Sequence, residues 1–430
     1  MQTFLILSLV TAALCAPTAH EKSIKVPVTR KALLTRANGD IEPAKYLGVL
    51  QRTLQKYGKD VQLPNKLMFC GANEPLKDKS QDGLDIFYYG NIVVGVQGPQ
   101  TFTCDFDTGS ADLFVPGPQC DAAAGCTGTT KYDQQGVDEG NTTSVTYGSG
   151  MVSGENSFDS ITVAGLTAKR QNVISLTNAQ GFSTSASSSL MGLAFSTIAK
   201  SGQPTYFENL IEQSVVSKNE FAFYLGRAAD GTGDASELTQ GGRNPGKFTG
   251  AVTKVPVKTR VYWRVQLDKV VVNGKSAVLG ALGLDPTRGD AAIDTGTSLL
   301  VAPAAAPLSI YSRIPGSLPI QLLEGAGGPT VFAFPCSAKP HVALTFAWTN
   351  FAVNPQDFNI GRLTPDFGEV VGNNTLSAIL NRESYCLVAI AGEDLDPGSY
   401  LYVVGDTFLK NWYSVYSYDS AASVSFAKAV

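Results

Sequence analysis

The feature that most limits how this chain can fold is a repeated tetrapeptide, Asp-Thr-Gly followed by a hydroxyl residue. The first copy begins at Asp107 and the second at Asp294, 187 residues later in a chain of 430. Each copy follows an apolar approach and precedes a short apolar run that ends in proline. Each is also echoed much later by two apolar residues and a glycine, at 190–192 and 403–405. A repeat with matching flanks indicates two similar halves rather than two unrelated turns.

Strand patterns dominate the chain around these repeats. Segments rich in β-branched and aromatic residues, separated by Gly, Pro and Asn turns, occur at 86–96, 101–107, 144–154, 261–274, 341–348 and 400–405. Helical spacing is clearest at 204–213 and recurs at 44–58. Charged residues make up only 16% of the chain and hydrophobic residues 43%, which suits packed cores and argues against disorder. We therefore predict a mainly β protein whose body, from about residue 80, forms two domains.

The histidine content limits the chemistry. The chain has only two histidines, His20 and His341, so it can form no multi-histidine metal site and at most one histidine-dependent nucleophile. His341 is isolated in a strand pattern, and we expect it to be structural. Any reaction must therefore use mainly carboxylates, hydroxyls or thiols.

The two repeated aspartates can supply such a reaction without a metal or a cofactor. If the two halves bring Asp107 and Asp294 to about 3 Å from each other, both carboxylates cannot ionise, so one pKa rises and the other falls. The ionised carboxylate can take a proton from a water that attacks a carbonyl, while the protonated one hydrogen-bonds the carbonyl oxygen. We predict that Asp107 and Asp294 are the catalytic pair of a peptide-bond hydrolase.

The three residues after each aspartate have physical roles in this prediction. Each glycine lets the backbone approach closely and presents its N–H to the carboxylate. The hydroxyl residue after it can donate a hydrogen bond to the outer carboxylate oxygen, and the threonine before it can join a network between the halves. These supporting residues are Thr108, Gly109 and Ser110 in the first copy and Thr295, Gly296 and Thr297 in the second.

With these motifs, the chain resembles the pepsin family (A1) of aspartic endopeptidases in its secreted zymogen form, over nearly its whole length. Tyr147, Gly148 and Ser149 are similar to the family's flap, and the resemblance makes Tyr147 the flap tyrosine. Residues 261–268 and 403–417 resemble strands of the second lobe, while the sequences LDIFYYGN and CDFDTGSADL are closer to fungal members. The resemblance implies a bilobal pepsin-like fold in which residues 80–250 and 251–430 form pseudo-symmetric β lobes around the cleft.

The chain departs from the family pattern at three places near the cleft. Phe114 stands where the family usually has a tryptophan that bonds the flap tyrosine, and Ser188 belongs to a Ser-Ser pair that replaces Asp-Gly. Ser149 stands where some fungal members have an aspartate that accepts lysine in substrates. We therefore expect a preference for bulky apolar residues on both sides of the scissile bond.

The first 79 residues form two predicted segments. Residues 1–16 are apolar and end in small residues, which predicts a secretory signal peptide rather than a membrane span; a buried helix is the alternative. Residues 17–79 carry 12 basic and 6 acidic side chains, a net charge of +6, whereas residues 80–430 carry −10. Such a basic leader could bind nucleic acid or the body itself. Its basic residues are dispersed among apolar ones, which favours binding to the body.

The resemblance implies that this leader is a propeptide acting as an intramolecular inhibitor. Lys56 and Tyr57 resemble the inhibitory lysine and tyrosine of the family, and we expect the Lys56 ammonium to lie between Asp107 and Asp294 in place of the water. The alternative is a lysine on a solvated helix face. The maturation cut is expected between about residues 74 and 83. Because the leader should be removed and the body is acidic, a nucleic-acid partner is disfavoured.

The cysteines and glycosylation motifs suit a secreted protein. Among the seven cysteines, Cys120 with Cys126 and Cys336 with Cys386 are the predicted disulfide pairs, which is also where the family has them. Cys15 lies in the signal, and the states of Cys70 and Cys104 stay open. The Asn-x-Thr triplets at Asn141 and Asn373 predict N-glycosylation.

Two further motifs are predicted to be turns without a binding function. Residues 241–247 match the spacing of a phosphate-binding loop, but Phe248 replaces its Ser or Thr, so we predict a turn. Residues 393–396 are predicted to be a solvated acidic turn.

The rival function is a catalytically inactive pepsin-like binding or inhibitor protein. We predict instead a monomeric enzyme acting on proteins and peptides at acidic pH, without a membrane anchor, secreted or delivered to a vacuole or another acidic lumen.

Overall fold

In this computed structural model the described residues form a mainly β, bilobal protein. They are residues 23–59 except 33 and 37, 85–126, 129–147, 150–179, 189–227, 236–279, 289–322, 329–370, 374–380, 384–395 and 400–430. The predicted signal segment, Cys70 and the expected maturation region lie outside the described residues.

The described part of the leader contributes two strands and one helix to the fold: β1 Ile24–Pro27, β2 Thr29–Ala32 and α1 Pro43–Lys56. Helix α1 begins with Pro43, whose missing N–H costs nothing at a first helical position. Its buried face includes Tyr46, Leu50 and Leu54, at the spacing that places side chains on one side of a helix. The helix predicted at 44–58 is therefore present, and it packs against the body through this apolar face.

The next part of the chain forms one curved sheet. Its strands are β3 Asp85–Val94, β4 Gln100–Asp107, β5 Leu113–Pro116, β6 Val137–Tyr147, β7 Gly150–Val163, β8 Leu166–Ala179 and β9 Ser189–Gly192. With leader strand β2, the order in the described residues is β2-β3-β4-β9-β5-β8-β7-β6. Strand β3 also pairs with β7, so the sheet folds back on itself.

Helix α2, Tyr206–Glu212, follows this sheet and matches the helix predicted at 204–213. It begins with a capping box in which the Thr205 hydroxyl accepts from the Glu208 amide and the Glu208 carboxylate accepts from the Thr205 amide. Both donors would otherwise lack a partner within the helix. The strands that follow are β10 Glu220–Tyr224, β11 Glu237–Gln240, β12 Phe248–Arg260, β13 Trp263–Leu267, β14 Lys269–Val272, β15 Lys275–Ser276, β16 Gly289–Ile293 and β17 Leu300–Ala302.

The last third of the chain adds short helices and ten more strands. They are α3 Ala306–Tyr311, β18 Leu318–Gln321, β19 Thr330–Pro335, β20 Val342–Phe346, β21 Thr349–Val353, α4 Pro355–Phe358, β22 Asn359–Arg362, α5 Pro365–Val370, α6 Asn374–Leu380, β23 Tyr385–Val388, β24 Ile390–Gly392, β25 Leu401–Val404, α7 Asp406–Leu409, β26 Trp412–Ser417 and β27 Ser423–Ala429. Strands β14, β15, β20 and β21 form a separate small sheet.

The largest sheet joins the halves and includes part of the leader. Its order in the described residues is β1-β11-β10-β26-β27-β12-β13-β16-β25-β17-β24-β19-β23-β22, with β18 on β19. Leader strand β1 is at one edge, where it pairs antiparallel with β11. The leader is therefore an integral part of two sheets in this form of the chain.

The two halves share one topology around the repeated motif. In the first half β4 pairs parallel with β9, β9 antiparallel with β5, and β5 parallel with β8. In the second half β16, β25, β17 and β24 pair in the same order and directions. The sequence repeat thus corresponds to a repeated four-strand unit, with Asp107 and Asp294 at the carboxyl ends of equivalent strands.

Two disulfides and a large buried apolar cluster, with two smaller ones, hold these sheets together. Both predicted bridges, Cys120–Cys126 and Cys336–Cys386, are present, while Cys104 is buried and forms no disulfide. Trp263 is fully buried in an aromatic cluster, and its indole N–H donates to the Leu193 carbonyl across the sheets. None of the described helices combines the length and hydrophobicity needed to cross a bilayer.

Candidate active site

The two repeated aspartates meet at the boundary between the halves. Both carboxylates are buried, and the residues around them allow a very close approach. A Cβ atom added to Gly109 would collide with the Asp294 carboxylate, and one added to Gly296 would collide with Asp107. The glycine of each motif is therefore required by the partner's aspartate as well as by its own turn.

Each carboxylate is held by its own motif in the same way. The Gly109 amide donates to Oδ1 of Asp107 at 2.8 Å, and the Ser110 hydroxyl donates to Oδ2 at 2.5 Å. The Gly296 amide donates to Oδ1 of Asp294 at 2.9 Å, and the Thr297 hydroxyl donates to Oδ2 at 2.6 Å. These contacts match those expected from the sequence, and they orient both carboxylates toward the same point.

The threonines of the two motifs connect the halves through a buried network. The Thr108 amide donates to the Thr295 hydroxyl and the Thr295 amide donates to the Thr108 hydroxyl, at 3.1 and 3.0 Å. Each hydroxyl in turn donates to a carbonyl of the other half, Thr108 to Ile293 and Thr295 to Phe106. The network is satisfied on both sides, so it fixes the distance between the aspartates without a buried unpaired group.

The glycines that echo each motif are also explained by close packing. At Gly192 an added Cβ would collide with the backbone of Ala111, and at Gly405 it would collide with the Thr297 carbonyl. Each echo strand therefore lies directly against the loop that follows an aspartate. This contact forms because β9 and β25 run parallel beside the strands that end in Asp107 and Asp294.

The end of helix α1 lies on this pair of carboxylates. Nζ of Lys56 is 2.7 Å from Oδ1 of Asp107 and 2.9 Å from both carboxylate oxygens of Asp294. The hydroxyl of the next residue, Tyr57, donates to Oδ2 of Asp294 at 2.9 Å, and its ring lies 5.1 Å from that of Tyr262. The ammonium thus lies between the carboxylates, at the place expected from the family resemblance.

The electrostatics of this cluster follow from burial and one shared cation. Burial raises the pKa of Asp107, and the Lys56 charge only partly opposes it. Burial also raises the pKa of Asp294, but the Lys56 charge and the Thr297 and Lys56 hydrogen bonds outweigh it, so this pKa lies below its ordinary value. For Lys56 burial lowers the pKa, yet the two carboxylates raise it above that of a free lysine. Asp294 is therefore the more strongly held anion in this leader-bound form.

A third carboxyl group near the pair was not expected from the sequence. Asp105 is buried, and its Oδ1 has no hydrogen-bond partner among the described residues. Burial, together with the negative charge of Asp107, raises its pKa well above the ordinary value. Asp105 precedes Asp107 by two residues on β4, so both side chains leave the same face of the strand. The alternation of side chains along a strand was the sequence signal that could have placed Asp105 beside the pair.

The leader makes further charged contacts that sequence reasoning also missed. Arg362 donates to the Asp40 carboxylate, and its backbone exchanges hydrogen bonds with the leader at Gly39 and Ile41. Arg36 donates to Asp366 at 3.1 Å, and Lys59 lies 3.5 Å from Glu393, which is buried and not solvated as the sequence predicted. These contacts join residues more than 300 positions apart and have no signature in the local sequence.

The remaining predicted positions are only partly described. Tyr147 ends strand β6, but its side chain lies outside the described residues, as do Gly148, Ser149, Ser188 and Asn373. Asn141 is exposed, as glycosylation would require. Phe114 is buried in an apolar cluster that includes Val145, two residues before the end of β6, and His341 is exposed directly before β20. The glycine-rich segment 241–247 is a bend followed by a short 3₁₀ helix, Pro245–Lys247, in agreement with the predicted turn.

Comparison with known proteins agrees with this geometry. The family model described as eukaryotic aspartyl protease matches residues 87–429, and the chain therefore belongs to that family. It is an aspartic endopeptidase, a hydrolase whose substrates are proteins and peptides.

Three relatives show the extent of the similarity. The chain is 33% identical over 429 residues to an aspartic protease of Phaffia rhodozyma, covering 98% of this chain and 96% of that protein. It is 30% identical to cathepsin D of Dictyostelium discoideum, covering 88% and 91% of the two chains. It is 29% identical to vacuolar protease A of Aspergillus fumigatus, covering 90% and 88%. Nothing in these comparisons supports the rival function, a catalytically inactive binding or inhibitor protein.

Proposed function

We propose that this chain is the zymogen of an acid-acting endopeptidase in which Asp107 and Asp294 activate water. The observation that carries the proposal is the position of Lys56, whose ammonium is within 2.9 Å of both carboxylates. An ammonium at this point occupies the place where a catalytic water would need to hydrogen-bond both aspartates. The same contact therefore supports both the catalytic pair and its inhibition.

The proposed reaction follows from the unequal carboxylates once the leader has left. One aspartate is ionised and takes a proton from the water, which attacks the peptide carbonyl carbon. The other is protonated and hydrogen-bonds the carbonyl oxygen as the tetrahedral intermediate forms. A proton then passes to the leaving nitrogen as the C–N bond breaks. Donors from Gly109, Ser110, Gly296 and Thr297 hold both carboxylates for this exchange.

The leader, residues 17–79, is the proposed intramolecular inhibitor. Its strand β1 pairs with β11, helix α1 buries an apolar face, and Lys56 and Tyr57 bond the aspartates. Its charge of +6 opposes the −10 of the body. Acid neutralises carboxylates but not lysines or arginines, so the attraction weakens as the pH falls, and the leader is released in acid.

The other parts of the proposal concern processing, location and specificity. Residues 1–16 are the proposed signal peptide, and 80–250 and 251–430 the proposed lobes of a monomeric enzyme. Asn141 and Asn373 are the proposed glycosylation sites. Secretion is proposed, with a vacuole or another acidic lumen as the alternative, because relatives include a vacuolar protease A. The proposed preference is for bulky apolar residues around the scissile bond, and Tyr147 is the proposed flap tyrosine over the cleft.

The proposal is tested by hydrolysis of an unfolded protein between about pH 3 and 5, the range near the ordinary pKa of aspartate. We expect cleavage by the acid-treated chain, and its loss in Asp107→Asn and in Asp294→Asn. The variant Asp419→Asn, which changes an exposed aspartate, serves as the control and should remain active. Activity that persists in both dyad variants would rule out this catalytic pair.

A further inference from the structure

A pocket beside the aspartates stays open even though Lys56 covers them. It has a volume of about 320 Å³, within the roughly 300–1,000 Å³ typical of ligand sites. Its lining includes Gly109 and Ser110 next to Asp107, Val145 on the strand that leads to the flap, Tyr262, and the turn at 197–200. A peptide held at the aspartates would therefore extend into this pocket on one side of the scissile bond.

One side of the pocket carries a lysine in a rigid turn. The amides of Lys200 and Ser201 donate to the two carboxylate oxygens of Asp112, at 2.8 and 3.0 Å. Asp112 is buried, so this turn is anchored to the interior. The Lys200 side chain is exposed, and no described carboxylate lies within 4 Å of its ammonium.

The charges around the pocket change when the leader departs. The titratable groups in its lining are Lys56, Asp112, Lys200 and the Tyr262 hydroxyl. Lys56 belongs to the leader, and the Asp112 oxygens face the backbone amides of the turn. Without the leader, Lys200 is the remaining cation among the described residues of the lining, and its side chain is exposed.

We propose that Lys200, in the lining of this pocket, makes the neighbouring part of the substrate cleft favour a peptide with an aspartate or glutamate side chain. The acidic residue would lie within about three positions of the scissile bond, since an extended peptide advances roughly 3.3 Å per residue. This inference rests on the proposed function, and it adds a charged determinant to the apolar preference at the bond itself.

The size and pH dependence of the preference follow from simple electrostatics. An exposed ion pair is weak, so we expect a preference of about two- to fivefold over the matching amide. Carboxyl side chains of substrates lose their charge below about pH 4. The preference is therefore largest near pH 5, fades toward pH 3, and decreases with added salt.

The experiment is to incubate a peptide library at about pH 5 and pH 3 with the enzyme obtained by acid processing of the full chain, and to identify the cleavage sites. We expect Asp and Glu to be enriched at one position at pH 5 in the native enzyme and in Lys200→Arg. The enrichment should disappear in Lys200→Ala and reverse toward Lys and Arg in Lys200→Glu. Lys275→Glu changes an exposed lysine of the small second-half sheet by the same charge, and it should keep the native profile.

The outcomes separate this inference from the proposed function. Cleavage without acidic enrichment, or enrichment that survives in Lys200→Glu, would overturn the role of Lys200 while leaving the proposed function intact. Loss of cleavage in every form, including native enzyme, would overturn the proposed function and the subsite with it. If Lys200→Glu does not fold, the comparison of Lys200→Ala with Lys200→Arg still decides the result.

Discussion

Thr108 and Thr295 exchange reciprocal hydrogen bonds across the boundary between the halves, each amide donating to the other's hydroxyl, at 3.1 and 3.0 Å. Both hydroxyls then donate to the carbonyl of the residue directly before the opposite aspartate, Thr108 to Ile293 and Thr295 to Phe106. Since neither threonine contacts the carboxylates, their effect is to set the separation and direction of the strands that carry them. They are positioning residues for the proposed catalytic pair.

The first prediction tests this network with Thr295→Val, which keeps the side-chain shape and removes the hydroxyl. The Thr108 amide and the Phe106 carbonyl would lose a buried partner, which costs about 1–3 kcal/mol of unfolding free energy. We also expect a lower kcat with little change in KM, because the aspartates lose their alignment. Urea unfolding and steady-state kinetics check both effects. Thr249→Val, at an exposed strand position, should change neither.

The second prediction concerns the pH at which the leader is released. The pKa of Asp294 is depressed in the leader-bound form, so its attraction for Lys56 is present above its ordinary value and is lost as the pH falls through the depressed one. The pKa of Asp107 is raised by burial, so this carboxylate loses its charge first. The raised pKa of Lys56 keeps it charged throughout. We therefore expect processing to rise as the pH falls below about 4.

The variant Lys56→Met tests the same contact directly. Without the ammonium, two buried carboxylates face each other unpaired, so the leader binds more weakly and processing begins at a higher pH than in the native chain. Lys45→Met, on the exposed side of helix α1, is the matched control. The measurement is the fraction of processed chain on a gel across the pH range. If processing of Lys56→Met begins at the same pH as in the native chain, or at a lower pH, the inhibitory role of Lys56 is contradicted.

The third prediction concerns Asp105. Its pKa is raised by burial, so ionising it opposes folding, and its contribution to stability falls as the pH rises through the folded-state pKa. Asp105→Asn removes this ionisation. We expect the full chain with Asp105→Asn to gain roughly 1–2 kcal/mol over the native chain at neutral pH and much less at pH 5. Urea unfolding at the two pH values measures the difference, and a gain that is larger at pH 5 would refute the argument.

The fourth prediction compares the two disulfides. Cys336 and Cys386 are 50 residues apart, whereas Cys120 and Cys126 are only 6 apart. Loop-closure entropy then predicts losses of roughly 4 and 2 kcal/mol on removing the two bridges. Unfolding of the paired Cys→Ala variants under oxidising conditions measures both losses. A larger loss for the short loop would show that local packing, not loop length, dominates.

Much of the site could be predicted because its hydrogen bonds are local. Gly109 and Ser110 reach the Asp107 carboxylate from two and three residues away, so residue types at fixed spacing were enough to assign those contacts. The repeat and its distal echoes also predicted two halves, since each echo strand pairs beside its own motif. The position of Lys56 came from resemblance to a family, because nothing local to the helix connects it with the aspartates.

The sequence by itself therefore determined the chemistry of the two motifs, the mainly β character and the existence of a basic leader. Only the tertiary structure decided which distant groups meet, as with Arg362 and Asp40, which are 322 residues apart. It also left Asp105 buried without a partner on one oxygen and placed Lys200 beside the aspartates in an open pocket. The physical reason is that short-range hydrogen bonds depend on spacing along the chain, whereas burial and long-range ion pairs depend on how the sheets pack.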